Sequence, residues 1–353
     1  MSVNLIIPSA GQSSRFPTRP KWLLTQPTGD LMIHEAIGCL DLTNIKEIFI
    51  TVLKEHIDKY CNGETDFLKF NDIKTNVLIL DQSTNSQCET VVKTIQYWNI
   101  EGSIFIKDVD NYFITCPKPE NSISYVNIKD YTIRNITNKS FIELNNINVI
   151  TNIVEKKVIS DKISVGGYSF ENAKDYIDAY NKLLEISKEE YQTELYTSHI
   201  IWNMMTNKSV FQGIEVKHYF DWGTYEDWIE YKNQFKTFFI DIDGVLVENS
   251  SEYFSPKWGE TNELKNNLEW IKSLDRSKVD IILTTARKKE YKEITEKQLN
   301  SLGITYDAII FDLLHCKRYL INDYSKTNPY PTAIAVNSER NSDNLKDLIK
   351  DKS

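Results

Sequence analysis

The stretch Leu5-Ile6-Ile7-Pro8-Ser9-Ala10-Gly11-Gln12-Ser13-Ser14-Arg15-Phe16, with Pro20-Lys21 close behind, decides the reading of this chain. Leu5-Ile6-Ile7 is an apolar strand that breaks at Pro8 into a loop of small residues. Small side chains let backbone N–H groups come close to an anion, which is what a phosphate-binding turn after a strand needs. Arg15 and Lys21 can complete such a cradle with side-chain cations. The loop is therefore read as a site for a nucleoside triphosphate.

Working outward, strand candidates are Val3–Ile7, Glu47–Val52, Asn76–Leu80 and Ser103–Lys107. Met32–Leu42 and Gln87–Trp98 lie between them, with apolar residues recurring at three and four. Strands alternating with helices predict a mainly parallel sheet covered on both faces. Residues 122–159 turn β-rich and polar, which predicts an inserted antiparallel layer. Helical runs at Ala173–Ile186 and Glu194–Thr206 and a strand at Ile214–Phe220 lead into Asp221-Trp222-Gly223-Thr224. After the helix Tyr225–Phe235 a second α/β pattern begins, so the expected domains are 1–235 and 236–353.

The 353 residues suffice for two such cores. A formal net charge of −9 argues against a nucleic-acid or anionic-membrane surface, and an acidic chain that handles phosphates needs metal ions and local cations. Five scattered cysteines without a Cys-x-x-Cys pair suit a reduced compartment. No apolar run approaches the roughly 20 residues of a membrane span. A cytoplasmic enzyme without membrane insertion is the expectation.

Ligands of open α/β sheets sit beyond the carboxyl ends of the strands. Gly11–Lys21, Gln82, Gln87, Asp108-Val109-Asp110 and Asp221 all fall at such ends. Two carboxylates converging from distant positions suit Mg²⁺ shared with a triphosphate. These residues resemble the nucleotidyltransferases that make nucleotide-activated sugars, alditols or choline. Gly11, Ser14-Arg15-Phe16, Pro20-Lys21, Asp108-Val109-Asp110, Glu155-Lys156, Gly166-Gly167-Tyr168 and Asp221-Trp222-Gly223-Thr224 carry the resemblance over most of residues 1–235.

The resemblance implies that Arg15 and Lys21 bind and polarise the triphosphate. It implies a nucleotide held by Ala10, Gly11, Gln12, Ser13, Ser14, Gln82, Gln87 and Asp108, with Mg²⁺ on Asp110 and Asp221. Glu155, Lys156 and Gly167 would hold the acceptor, a phosphosugar or phosphoalditol. Gln82 at the base position favours a pyrimidine, CTP first. Ser13 departs from the resemblance, which has a glycine there. Asp108-x-Asp110 alone would also fit a glycosyltransferase.

In the second half, Phe238–Ile240 ends in Asp241-Ile242-Asp243-Gly244, and the strand Val279–Leu283 delivers Thr284-Thr285-Ala286-Arg287. A carboxylate at a strand end, a second two residues on and a glycine turn suit phosphoryl transfer. An EF-hand is excluded because Leu246 stands where the loop requires glycine. The set resembles the haloacid-dehalogenase phosphohydrolases over about residues 237–340. The resemblance implies Asp241 as nucleophile, Asp243 as acid/base, Thr285 (Thr284 as second choice) on the phosphoryl group and Lys317 as its counter-charge. It also implies Mg²⁺ held by Asp323 with Asp241 and the Asp243 carbonyl, one ion per domain. Asn322-Asp323 replaces the acidic pair found in many members.

Short strands are expected at Ala308–Phe311, Tyr319–Ile321 and Ala333–Val336, and no segment is long enough for a large cap. The fold class expected is α/β: two Rossmann-like three-layer domains, the first with a mixed sheet, the second resembling a haloacid dehalogenase. The function expected is bifunctional, a nucleotidyltransferase joined to a phosphatase that serves surface polysaccharide synthesis, with a homo-oligomer possible. The alternatives are an Asp-x-Asp glycosyltransferase or a silent second domain.

Overall fold

The computed structural model describes residues 2–13, 16, 19–70, 72–190, 194–324 and 332–350, without the side chains of 187–190. The chain divides into two units, Met1–Lys232 and Asn233–Ser353.

In the first unit the strands are β1 (Val3–Ser9), β2 (Ile45–Leu53), β3 (Thr75–Leu80), β4 (Ile104–Lys107), β5 (Asn111–Ile114), β6 (Ser122–Asn127), β7 (Ser140–Leu144), β8 (Ile150–Glu155), β9 (Lys162–Phe170), β10 (Gln212–Glu215) and β11 (Lys217–Asp221). The helices are α1 (Met32–Gly38), α2 (Lys54–Cys61), α3 (Gln87–Trp98), α4 (Ala173–Glu190), α5 (Thr197–Thr206) and α6 (Tyr225–Lys232). A mixed nine-stranded sheet runs β10-β6-β9-β4-β1-β2-β3, with the β7/β8 hairpin joined through β9. β4-β1-β2-β3 are parallel; β9 is antiparallel to β4 and β6.

Successive side chains point to opposite faces, so burial on both faces explains the unbroken apolar run Leu5-Ile6-Ile7 within β1. Ile6 enters the core under α3, α4 and α5, whereas Leu5 and Ile7 enter the opposite core with Ile33 and Ile37 of α1. Burial on both faces fixes β1 at the sheet centre, so the loop after Ser9 opens at the carboxyl edge. The strand expected at Ile214–Phe220 is instead two strands. β10 pairs with β6 in the large sheet and β11 pairs with β5 in a separate two-stranded sheet. His218 takes a left-handed backbone (φ 56°) within that second strand. The break at Val216 aims Asp221 at the residues that precede β5.

The second unit contains a parallel sheet, β12 (Lys236–Asp241), β13 (Val279–Thr284) and β14 (Ala308–Ile310), in that order. Its helices are α7 (Lys265–Lys272), α8 (Lys292–Ser301) and α9 (Leu345–Lys350). Ile240, Ile281 and Leu283 meet Leu268, Ile271 and Leu299 in one core. Buried Asn267 ties the carboxyl-terminal segment down: its Nδ2 donates to the Val245 and Ser342 carbonyls, and its Oδ1 accepts from Leu345 N–H.

The strands expected at Tyr319–Ile321 and Ala333–Val336 are not formed. Tyr319 and Ile321 are 81% and 90% exposed, and among the described residues neither short apolar run finds a ladder partner. A 3₁₀ turn at Lys289–Tyr291 leads directly into α8.

Candidate active site

A cavity of about 530 Å³ opens at the carboxyl edge of the first unit. Its walls are the turn Gly11–Ser13, Lys21 and Trp22, the segment Ser83–Gln87, and Asp108–Asp110. Ser14 and Arg15 lie outside the described residues. Ser13 has a left-handed backbone (φ 50°), the conformation a glycine adopts freely. Its hydroxyl accepts from Lys21 N–H at 3.2 Å and its carbonyl from Phe16 N–H at 2.9 Å, which curls the loop back on itself. Ala10 is buried beneath the turn. Gln82 is exposed and does not line the cavity, whereas Gln87, at the start of α3, does. Gln87 Nε2 donates to Asp108 Oδ1, and Gln87 Oε1 accepts from Thr197 Oγ1 at 3.3 Å.

Asp110 and Asp221 come together because β5 and β11 are paired, and Trp222 N–H donates to the Asp110 carbonyl at 2.9 Å. Gly223 leaves the space between the carboxylates open. A Cβ there would lie 3.0 Å from Asp221 Oδ1 and 3.7 Å from Asp110 Oδ2. Lys21 Nζ donates to Asp110 Oδ2 at 2.6 Å, and Lys139 Nζ is paired with Asp221 Oδ2. Burial works against ionisation of Asp110, but Lys21 and Lys139 overcome it and hold the carboxyl down to about 2. Asp108 moves the other way, up to about 7, because it is desolvated and faces the Asp110 charge. Lys139 keeps its proton against burial because the carboxylates of Asp221 and Asp110 face it.

Sequence reasoning missed Lys107 and Lys139. Lys107 is fully buried at the end of β4. Its ammonium donates to the carbonyls of Asp108 (2.7 Å) and Asn111 (2.8 Å) and to Asn111 Oδ1, and lies 4.5 Å from the centre of the Phe113 ring. It thereby staples the turn that carries Asp108 and Asp110. The signal for Lys107 was a charge closing an otherwise apolar buried strand. Lys139 had no local signal, because the β7/β8 hairpin brings it in.

Glu155 ends β8 and accepts from Ser140 Oγ and, at 2.6 Å, from Ser198 Oγ. Lys156, in a left-handed turn (φ 53°), donates to Tyr196 OH. Gly166 and Gly167 of β9 allow the close approach of Asp108 and of Phe113. A Cβ on Gly166 would lie 2.3 Å from Asp108 Oδ2, and one on Gly167 2.6 Å from the Phe113 ring.

In the second unit Asp241 stands at the end of β12, where its Oδ1 accepts from Ile242 N–H at 3.1 Å. Burial raises its pKa, with Arg318 opposing the shift and Asp243 reinforcing it. Arg318, not the neighbouring Lys317, faces Asp241, with guanidinium nitrogens 3.4 Å from each oxygen. Lys317 is exposed. Asp243 is gripped by Arg287, whose Nε and Nη2 reach its two oxygens at 2.8–3.2 Å, and by Thr285 Oγ1 at 3.2 Å.

Among the described residues no three His, Cys, Asp or Glu side chains are grouped to hold a metal ion. Asp323 lies in the segment without a ladder, exposed, its N–H spent on Asn322 Oδ1.

About two thirds of the chain shares its fold with pyrophosphorylases and a CTP transferase. Similar solved structures include a nucleoside-diphosphate-sugar pyrophosphorylase from Vibrio cholerae, 19% identical with a TM-score of 0.56, covering 64% of this chain and 98% of that one. An inositol-1-phosphate CTP transferase from T. maritima is 12% identical with a TM-score of 0.50, covering 65% and 94%. A UDP-glucose pyrophosphorylase from Acinetobacter baumannii is 14% identical with a TM-score of 0.50, covering 65% and 92%. The covered share matches the length of the first unit, 232 of 353 residues. At these identities the likeness is one of fold. No family model matches the chain, and no curated protein matches it. No helix among the described residues is long and apolar enough to cross a membrane.

Proposed function

We propose that the first unit transfers a nucleotidyl group from a nucleoside triphosphate to a phosphorylated sugar or alditol and releases pyrophosphate. The observation that carries this reading is the pairing of Asp110 with Lys21 and of Asp221 with Lys139, beside the cavity into which Gly11–Ser13 opens. Oxygen donors from two carboxylates, with the gap kept by Gly223, fit a hard divalent cation. Asp110 and Asp221 would hold Mg²⁺, which supplies charge neutralisation at the phosphates. Lys21 and Lys139 are placed to pass from the carboxylates to phosphate oxygens. An acceptor phosphate oxygen attacks the α-phosphorus, the bond to the bridging oxygen breaks, and pyrophosphate leaves. Alignment and charge, rather than covalent participation, are what the site offers.

The test is pyrophosphate release across a matrix of nucleoside triphosphates and phosphorylated sugars and alditols. Release that Asp110→Asn abolishes supports the reading. A glycosyltransferase would show no release with any triphosphate.

For the second unit the reading is phosphomonoester hydrolysis with Asp241 as nucleophile, supported by its place at the end of β12 and the cation Arg318 beside it. Asp241→Asn should abolish hydrolysis of a phosphosugar panel and leave pyrophosphate release intact. An activated sugar or alditol made this way would suit surface polysaccharide synthesis.

A further inference from the structure

The 3₁₀ turn Lys21–Leu23 stands between two cavities of the first unit. Lys21 and Trp22 line the cavity described above, whereas Leu23 and, two residues before the turn, Arg19 line a second one of about 360 Å³. The turn is closed by its own backbone, with Leu23 N–H donating to the Pro20 carbonyl at 3.0 Å and Leu24 N–H to that of Lys21 at 2.9 Å. A short hydrogen-bonded turn moves as a unit, so a pull on Arg19 or Leu23 reaches Lys21 and its contact with Asp110. Trp22 is 1% exposed; its indole donates to His56 Nδ1 at 3.4 Å and lies parallel to the Phe67 ring, 6.3 Å between centres. Phe67 belongs to the wall of the second cavity.

That cavity has the size of a small-molecule site, roughly 300–1,000 Å³. Its deeper wall is apolar: Leu23, buried, with Leu31 and Phe67, half-buried. Its charged lining is one residue of each sign, Arg19 and Glu64, both exposed and neither ion-paired among the described residues. Both act on Cys61, which also lines the cavity: burial raises its pKa, Arg19 opposes the rise and Glu64 adds to it. Tyr60 forms the remaining aromatic wall and has the Lys59 ammonium 5.0 Å from its ring centre, so a ligand ammonium is drawn to Glu64 rather than to that ring. A ligand with a single charge leaves either Arg19 or Glu64 facing no counter-charge. A zwitterion with an apolar body complements the guanidinium, the carboxylate and the apolar wall together.

We propose that this second cavity binds a small zwitterion with an apolar body, the chemistry of a hydrophobic α-amino acid, its carboxylate on Arg19 and its ammonium on Glu64, and that its occupancy alters nucleotide binding through the Lys21–Leu23 turn. The coupling rests on the nucleotidyl-transfer reading above; the binding does not.

The experiment uses the full chain, with L-phenylalanine as probe and 3-phenylpropionate and phenethylamine as its single-charge analogues. Calorimetric titration should show saturable binding of phenylalanine, with each analogue about threefold weaker, the scale of one ion pair at an exposed position. Phenylalanine should slow the alkylation of Cys61 by N-ethylmaleimide, read by peptide mass, and leave that of the exposed Cys316 unchanged. Arg19→Gln should bring phenylalanine down to the affinity of phenethylamine, and Leu31→Trp, which fills the cavity, should abolish binding. With Mg²⁺ present, saturating phenylalanine should change the Kd of CTP, UTP or dTTP by about fivefold, and the nucleotide should change that of phenylalanine by the same factor. No saturable binding, or binding that leaves Cys61 unprotected, overturns the site. Equal affinity for the three probes overturns the zwitterion assignment. An unchanged nucleotide Kd overturns the coupling and leaves the site standing. No binding of any triphosphate overturns the nucleotidyl-transfer reading, and the coupling with it.

Discussion

Lys139 Nζ is ion-paired with Asp221 Oδ2, and the contact repeats across Gly223 what Lys21 does to Asp110. Each carboxylate that could hold a divalent cation therefore carries a lysine, and an ion entering between them must displace an ammonium. Lys139→Met removes one competitor and leaves two carboxylates facing a single cation. Without Mg²⁺ the variant should melt below the wild type, because like charges are then less compensated. With millimolar Mg²⁺ its melting temperature should rise by more than that of the wild type, since a ligand that binds the folded state stabilises in proportion to its affinity. Equal Mg²⁺-induced shifts in the two proteins would show that Lys139 does not compete.

Asp108 gives the molecule a pH dependence with a definite sign. Burial and the Asp110 charge raise its pKa to about 7, against an ordinary value of 3.8. Between those values the folded chain holds a proton that the unfolded chain has released, so this group's contribution to stability declines as pH rises through the window. Asp108→Asn cannot ionise. Its urea midpoint relative to wild type should move in the variant's favour between pH 4 and pH 8. A difference independent of pH would mean that Asp108 ionises as an ordinary carboxylate.

The residues legible in the sequence were those whose meaning is local. Leu5–Ile7 followed by small residues fixed a strand and its loop, and the spacing to Lys21 and Asp110 put them at one sheet edge, where they meet at 2.6 Å. Lys139 was not legible, because its partner is 82 positions away and only the β7/β8 hairpin and the β5/β11 pairing bring them together. Arg287 stood in a motif already noted, yet its grip on Asp243 depends on the turn after β12 lying beside β13. Tyr319–Ile321 was misread because three apolar residues suit a strand only if a neighbour supplies the ladder.

Ser13 separates two effects that usually travel together. Its left-handed backbone costs a non-glycine residue about 1–2 kcal/mol, whereas its hydroxyl holds Lys21 N–H at 3.2 Å, worth about 1 kcal/mol. Ser13→Gly relieves the first and loses the second, so its stability should stay within about 1 kcal/mol of wild type. Ser13→Ala keeps the strain and loses the bond, and should be about 1 kcal/mol less stable. Chemical denaturation of the two variants side by side checks the ranking. Ala above Gly would mean that the loop relaxes out of the left-handed region.

Arg287 offers the sharpest test of the second unit. The side chain is fully buried. Besides Asp243 it donates Nη1 to Thr295 Oγ1 and Gln298 Oε1, both at 3.1 Å, so the guanidinium ties the turn after β12 to α8. A buried pair of this kind adds little net stability over an apolar substitute, but removing one partner strands the other charge away from water at a cost of about 3–5 kcal/mol. Arg287→Met should therefore destabilise the second unit by about that amount. Arg287→Lys should fall between, because an ammonium cannot fork to both oxygens and still reach α8. The double variant Arg287→Met with Asp243→Leu should recover much of the loss, since no charge then remains buried alone. Denaturation followed by fluorescence, with pyrophosphate release as a check on the first unit, reads all three. A double variant no more stable than Arg287→Met would place the energy in the contacts with Thr295 and Gln298 rather than in the ion pair.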